Sequence, residues 1–421
     1  MPTTLPNPGA AGTPSSPGSA DALLKDFYLP KIVSLLNEKH ELLKKLGRDP
    51  SKFSGRQVKF PVTTGRENGI GARSENSSLP RASVARTVQA SIYSKTLTGR
   101  TQFTGQMMEK SKSDRGAFAQ EAKRQMEMLT EGLLDDTNRQ LYGVEVTVND
   151  ADGTAFTGKT GLFGYVTSGQ ASATQTLSTT ANLVKGMSIC FGTTAEFGSG
   201  SWSTQVIDSV DSATQITLEN SVTTATNDGV TRGDADGVAF DAELTGLEFI
   251  IKSSGTFQGI SATTYPNWKS TVTDASSGYY LDDDRIQAML DTIGDNCGTE
   301  PDMIVCHRTQ RRLYLSTLLP SKRFAGQDLK GGFANGLSYQ GGDKPVPLFV
   351  DKHCPTTTAY FLNTGDITMF VEQDWQWMEE DGAILNRVAG KFNYEATMTA
   401  MKELGCFRRN SHGKYTNLAT S

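Results

Sequence analysis

The stretch DRGAFAQEAKRQMEMLTEGLLDDTNRQLY, residues 114–142, places Phe118, Ala122, Met126, Leu129, Leu133 and Leu141 along one stripe, with acids and bases elsewhere. That spacing predicts one long amphipathic helix. Ser113 or Asp114 is placed to cap its start and Gly143 its end. At about 1.5 Å per residue it would run about 43 Å, which is long for a compact domain. Upstream, two extended runs, Gln57 to Thr64 and Val84 to Thr98, the second with alternating Val88, Ala90 and Ile92, predict a long hairpin. Its tip, Gly65 to Arg81, carries Arg66, Glu67, Gly69, Gly71, Arg73, Glu75 and Pro80, and only Ile70 and Leu79 as large apolar residues. Such a tip cannot make a core. Fifteen extended residues at about 3.3 Å each reach on the order of 50 Å, against a radius of gyration of about 20 Å for a globule of this size. The finger must lie on something else.

The rest of the chain is organised around these two elements. Residues 1–20 are rich in Pro, Gly, Ser and Thr and read as a disordered or draped arm. Between Ala22 and Leu46 the residues Phe27, Ile32, Leu35, Leu36, Leu42, Leu43 and Leu46 recur at helical spacing, broken or restarted at Pro30. From Val144 to Gly259 short strands and turn residues predict a small β domain or insertion, in which Thr204 to Leu218 reads as one hairpin around Asp211-Ser212-Ala213. From Tyr279 onward α and β elements mix. A helix capped by Asp282 to Asp284 carries Ile286, Met289, Leu290 and Ile293, followed by a strand from Met303 to Cys306 and a second helix through Leu313, Leu315 and Leu319 that stops at Pro320. A glycine-rich loop with Gly331, Gly332, Gly341 and Gly342 precedes strands at Val346 to Val350, Ala359 to Leu362 and Ile367 to Val371. A long alternating strand runs from Phe392 to Met401, and the tail beyond Asn410 reads as polar and loose. No fixed-period repeat is visible.

With 421 residues the chain is long enough for two or three domains, and its formal charge of −5 gives no overall pull toward nucleic acid or anionic membrane. Cys190, Cys297, Cys306, Cys354 and Cys406 are scattered singly, unlike a disulfide scaffold, which points to folding in a reducing compartment. The N-terminus has no apolar run of the signal-peptide kind, and no stretch approaches the roughly 18 apolar residues of a membrane helix. A soluble intracellular product is expected.

Enzyme signatures are missing. His40-Glu41-Leu42-Leu43-Lys44 begins like a zinc-protease helix but ends in Lys where the second imidazole is required. Cys306-His307 and His353-Cys354, with Cys297, could meet across strands around a zinc ion, but without CxxC or HxxxH spacing they read as buried thiols and surface histidines. Asp150-Ala151-Asp152-Gly153 and Asp234-Ala235-Asp236-Gly237 start like calcium loops and lack the later carboxylates, so they read as turns. Gly69-Ile70-Gly71 has no third glycine, and neither a Walker lysine nor a nucleophile elbow occurs. Of three basic groups, Arg308, Arg311 and Arg312, then Lys322 and Arg323, then Arg408 and Arg409, the first sits on a helix pattern where solvated charges are the default, and none reads as a nucleic-acid surface. Trp375 and Trp377 would share one strand face, for core or interface packing. No catalytic, cofactor or metal residue is assigned.

The order of elements resembles the major capsid proteins of tailed bacteriophages, the Hong Kong 97-type fold, over about Asp26 to Asn410. Gln57 to Leu97 looks like that family's extended loop and Asp114 to Leu141 like its spine helix. Pro301 to Cys306 leading into Thr309 to Leu313 is similar to its axial strand and short helix, and Val346 to Val350 with Ala359 to Leu362 to the strand pair after the axial loop. The fold class implied is α+β, divided as an N-terminal arm (1–55), extended loop (56–104), peripheral domain with spine (105–155), β-rich insertion (156–232), peripheral return (233–275), axial domain (276–365) and peripheral C-terminal strands and tail (366–421).

The resemblance implies a non-enzymatic shell subunit of the virion, assembled in the host cytoplasm as pentamers and hexamers into an icosahedral head around double-stranded DNA that it contacts non-specifically. It implies no cofactor and no membrane. Only a short non-helical segment precedes Asp21, so scaffolding is expected from a separate protein, alongside a portal; a decoration protein is left open. The tip lacks the lysine used for covalent crosslinking in the best-known member, the nearest being Lys59 and Lys95 on the stems, so a shell without crosslinks is expected. Subunit contacts are expected from Arg66, Glu67, Arg73, Glu75, Arg81 and Arg86 on the hairpin, from Phe27, Leu35 and Leu36 on the arm, and from Gly331, Gly332, Gly341 and Gly342 near the capsomer centre. The rival readings are an encapsulin-like compartment and a β-domain adhesin or binding protein.

Overall fold

The computed structural model describes residues 41–49, 53, 55–106, 121–276, 278–318, 337–339, 344–379, 384–388 and 390–420. Phe27, Leu35, Leu36, Lys322, Arg323, Gly331, Gly332, Gly341 and Gly342, and the first turns of the helix expected from Asp114, lie outside them.

Helix α1 (Glu41–Lys45) leads into strand β1 (Gly47–Asp49), with Leu42, Leu43 and Leu46 buried. Strands β2 (Val58–Gly65) and β3 (Arg86–Ile92) form a two-stranded antiparallel ribbon, from Val58 opposite Ile92 to Gly65 opposite Arg86. The chain then leaves the ribbon at Tyr93 and Ser94, and β4 (Lys95–Thr104) joins a different sheet. The single arm expected from Val84 to Thr98 is therefore two strands. Two consecutive strands carry the same alternation as one, and here Leu97 enters the main core beside Ala90, while Phe103 and Ile92 are also buried.

Helix α2 (Glu121–Tyr142) is the long element, ended by Gly143 in the left-handed conformation at φ 68°. Strands β5 (Leu162–Ser168), β6 (Ala171–Leu177) and β7 (Ser188–Gly192) follow. After helix α3 (Thr194–Ser199), opened by a Thr193/Glu196 capping box, come β8 (Ser203–Val210), β9 (Gln215–Thr223) and β10 (Gly229–Arg232). These six strands close into a barrel in the order β10-β5-β6-β9-β8-β7. Alternation puts Phe163, Val166, Leu177, Ile189, Phe191, Ile207, Ile216, Leu218 and Val230 inside, and closure leaves no sheet edge exposed. The hairpin expected over Thr204 to Leu218 is β8 and β9.

Helix α4 (Leu247–Ile250) and the small hairpin β11 (Thr256–Phe257) and β12 (Ile260–Ser261) return the chain to the main body. Then follow β13 (Thr271–Asp274), α5 (Asp283–Cys297), β14 (Met303–Cys306), α6 (Arg308–Leu318), β15 (Leu337–Tyr339), β16 (Val346–Val350) and β17 (Ala359–Leu362). The last strands are β18 (Ile367–Trp377), β19 (Asn386–Arg387), β20 (Asn393–Cys406) and β21 (Gly413–Thr416). A five-stranded sheet holds β1, β18, β20 and β19, with β4 on β20, and a six-stranded sheet runs β13-β21-β17-β14-β16-β15. On one face of the latter, Ile304, Cys306 and Phe361 pack under α5 and α6; on the other, Met303, Val305, Tyr360 and Leu362 join the main core with Leu141 and Tyr142 of α2.

The tail expected to be loose beyond Asn410 is instead inside. Strand β21 sits between β13 and β17, and Ser411, His412 and Lys414 are buried. Its polar residues are satisfied rather than solvated. Ser411 donates to the Arg408 carbonyl at 2.8 Å, Lys414 pairs with Glu248, and burial pushes the His412 imidazole down to about 3, so it is neutral.

Candidate subunit-contact surface

The base of the finger is bound to the body. Phe60 meets Phe407 edge to face with ring centroids 5.1 Å apart, Val62 and Val88 pack on the main core, and the Ser91 amide donates to the Gln258 carbonyl at 3.0 Å. Beyond Gly65 and Arg86 the contacts become local. The Thr64 hydroxyl donates to the Arg86 carbonyl at 3.3 Å and the Asn68 amide to the Ser83 hydroxyl at 2.6 Å. The two limbs run so close at Gly69 that a Cβ there would meet the Arg81 carbonyl at 3.2 Å. The chain reverses at Ser74 to Ser77, where Asn76 takes a left-handed conformation and the Ser77 amide donates to the Ser74 carbonyl.

This geometry brings Arg66, Glu67, Arg73, Glu75, Arg81 and Arg86 onto one projection, all exposed, and none makes an ion pair with another described residue. Ile70, Leu79 and Val84 lie beside them at 84%, 86% and 84% exposure. Fully burying a large aliphatic side chain is worth about 1.5–3 kcal/mol, so the finger forgoes several kcal/mol of hydrophobic stabilisation while it stands free. Exposed aliphatic side chains beside unpaired charges make this projection the candidate contact surface.

What sequence reading missed is the polar end of α2. Thr137, Asn138, Arg139 and Gln140, which lie off the apolar stripe, are buried. Arg139 bonds Glu243 and, at 2.9 Å, Asp136, which Arg232 approaches at 3.1 Å; the two carboxylates outweigh the loss of water and hold the guanidinium charged. Asp135 lies 2.6 Å from Lys352 and 3.1 Å from His353, and although burial pushes its carboxyl up, hydrogen bonds from these two bring it down to about 2. These contacts tie the helix to the strand connection after β16 and to the chain leaving the barrel. The only signal in the sequence was the helix's length, which a single apolar stripe does not account for.

The metal arrangement weighed from the sequence is not assembled. Cys306 and Cys354 are buried, burial pushes the Cys306 thiol up to about 12, and among the described residues no group of three or more His, Cys, Asp or Glu is placed to hold a metal ion. His307 bonds Thr309 through Nδ1, and His353 is engaged with Asp135. Asp150 and Asp234 accept hydrogen bonds from the amides that follow them, as turn residues do. Trp375 and Trp377 share a half-buried face, with Lys402 Nζ 4.3 Å from the Trp375 ring centroid. Among the described residues, no helix is long and apolar enough to cross a membrane.

The described residues thus form two larger sheets, a closed six-stranded barrel, a long helix buried at its C-terminal end and a projecting finger. No family model and no curated protein matches the sequence. Solved structures do. The chain is similar to the capsid asymmetric unit of cyanophage A-1(L), with a TM-score of 0.56 at 11% identity, covering 95% of this chain and 98% of that one. It is also similar to the capsid of the native GTA particle, with a TM-score of 0.51 at 8% identity, covering 96% and 100%. A further likeness, with a TM-score of 0.49 at 8% identity over 96% and 95%, is to the SrpI encapsulin complex of Synechococcus elongatus. The chain has the mixed α/β fold of the phage capsid proteins, and the first two neighbours are capsids rather than enzymes.

Proposed function

We propose that this chain is the major capsid protein of a tailed double-stranded-DNA bacteriophage, assembling as pentamers and hexamers into the icosahedral head. The observation that carries the reading is the finger: a hairpin with exposed Ile70, Leu79 and Val84 and six exposed charges, on a body whose fold matches phage capsids along nearly its whole length. In this reading residues 1–55 are the N-terminal arm, 56–104 the extended loop, 105–155 the peripheral domain with its spine, 156–232 the barrel insertion, 233–275 the peripheral return, 276–365 the axial domain and 366–421 the peripheral C-terminal strands.

The finger lies over a neighbouring subunit, where its arginines and glutamates set register and its apolar residues supply affinity. Exposed ion pairs are individually worth about 0–1 kcal/mol, so the apolar contacts carry more of the strength. Phe27, Leu35 and Leu36 of the arm and Gly331, Gly332, Gly341 and Gly342 near the capsomer centre supply further contacts. A separate scaffolding protein, a portal and the packaged DNA are the partners, a decoration protein is a candidate further one, and the virion is the location. The test is expression of the chain alone and with candidate scaffolding protein, examined by negative-stain electron microscopy. Rings, tubes or closed shells are expected; a stable monomer under both conditions would overturn the reading, and shells enclosing protein cargo in place of DNA in infected cells would replace it with a compartment.

A further inference from the structure

The two helices on the outer face of the six-stranded sheet carry opposite charge. On α5 the buried side is Ile286, Met289, Leu290 and Ile293, and the exposed side aligns Asp284, Asp291 and Asp295. At helical spacing of i, i+7 and i+11 these three lie on one line. The helix's one base, Arg285, is engaged by Asp282. On α6 the buried residues are Gln310 and Tyr314, and the exposed side presents Arg308, Arg311 and Arg312. The sequence of α6, RTQRRLYLSTL, contains no acid.

Neither line is neutralised by another described residue. Asp291 accepts a hydrogen bond from the Gln287 amide at 2.6 Å, and none of the six residues forms an ion pair with another described residue. Segregation of this kind differs from an ordinary solvated face, where signs alternate. The helices are also fixed to each other: the Tyr314 hydroxyl bonds the Asp283 carboxylate, and Tyr339 of β15 donates to Gln287 at 2.8 Å. Two rigid, oppositely charged surfaces on one unit are self-complementary only between copies.

We infer that the α5 line of one subunit meets the α6 line of the next, as a head-to-tail contact between copies of this chain. A contact that joins two different surfaces of identical subunits repeats by rotation, and where the rotation closes it makes a ring. Its charges steer encounter and fix the direction of travel around the ring, and like-facing charges penalise the reversed order. The inference rests on the shell reading and assigns it a specific pair of surfaces.

The experiment compares the full-length wild type with two reversals, D284R/D291R/D295R, which makes both lines basic, and R308D/R311D/R312D, which makes both acidic. Ring formation is read by mass photometry and electron microscopy, and folding by circular dichroism. Each reversal alone is expected to associate roughly a hundredfold more weakly than wild type. Mixed in equal amounts they should recover rings with an even number of subunits and no pentamers, because basic and acidic chains must alternate. The neutral variant R308Q/R311Q/R312Q should fall between wild type and reversal, which separates charge from misfolding. Wild-type rings together with unimpaired rings from either reversal, or folded reversals that stay apart when mixed, would overturn this contact and leave the shell reading standing. A wild type that stays monomeric, without rings, tubes or shells, would instead count against the shell reading itself.

Discussion

Asn138, on the buried end of α2, donates its side-chain amide to both carboxylate oxygens of Asp351, at 3.1 and 3.0 Å, across 213 residues of sequence. Both residues are buried, and Asp351 also accepts the His353 amide at 3.0 Å. The pair pins the long helix to the turn that follows β16. Asn138→Ala leaves a buried carboxylate short of a donor, which costs about 1–3 kcal/mol. Denaturant unfolding of the isolated subunit should show the midpoint fall with an unchanged slope; an unchanged midpoint would mean that the Asn138–Asp351 pair does not help to hold the helix.

The next residue, Arg139, binds Glu243 and Asp136 where water is excluded. Removing one member of a buried pair strands the other charge and costs about 3–5 kcal/mol, whereas replacing both with apolar groups of similar volume is close to neutral. Arg139→Met should therefore be far more damaging than the double change R139M/E243L. A double-mutant cycle on unfolding free energies measures this, and additive losses would show that the two side chains do not depend on each other.

Glu403 sets a pH response. Burial raises its carboxyl to about 7, against the amides of Thr245 and Leu404, which donate to Oε1 at 2.8 and 2.9 Å and favour the charged form. The folded state thus holds a proton that the unfolded chain, at the ordinary 4.5, releases earlier. The stabilisation is complete below about pH 4.5 and is lost as pH rises through 7, a change of about 3 kcal/mol from this one group. Glu403→Gln keeps the acceptor oxygen and cannot ionise. Its unfolding free energy should exceed that of wild type at pH 8 and approach it at pH 5, and parallel pH profiles for the two proteins would refute the assignment.

The parts of this fold that were legible in the sequence are those whose pattern is local. Asp282 as a cap with Ile286, Met289, Leu290 and Ile293 at helical spacing gave α5, and the turn at Asp211 to Ala213 gave the β8–β9 hairpin. Closure of the barrel was not legible, because β10 pairs with both β5 and β7 across long stretches of chain. The tail was misread for a related reason. Ser411, His412 and Lys414 look solvated until Glu248, 166 residues from Lys414, supplies the partner that lets them be buried. For the finger the asymmetry is reversed: its charged and apolar residues could be read from composition, and the structure adds that they stand exposed on one projection.

The finger separates assembly from folding most cleanly. Ile70, Leu79 and Val84 touch little of their own chain, so I70S/L79S/V84S should leave subunit stability within about 0.5 kcal/mol of wild type. In a shell those side chains are covered, and the same triple change removes apolar burial worth several kcal/mol per subunit. Phe60 at the stem is the opposite case. Its ring packs on Phe407, and Phe60→Ala should cost about 1–3 kcal/mol of subunit stability before any question of assembly arises. Chemical unfolding of the dissociated subunits and particle yield by electron microscopy, measured on both variants, give the comparison. The expected pattern is a tip variant that is stable and does not assemble beside a stem variant that is destabilised. Normal particle yield from the tip variant would show that the finger stays in solvent in the assembled state, and a tip variant that unfolds early would show that it is covered by its own chain.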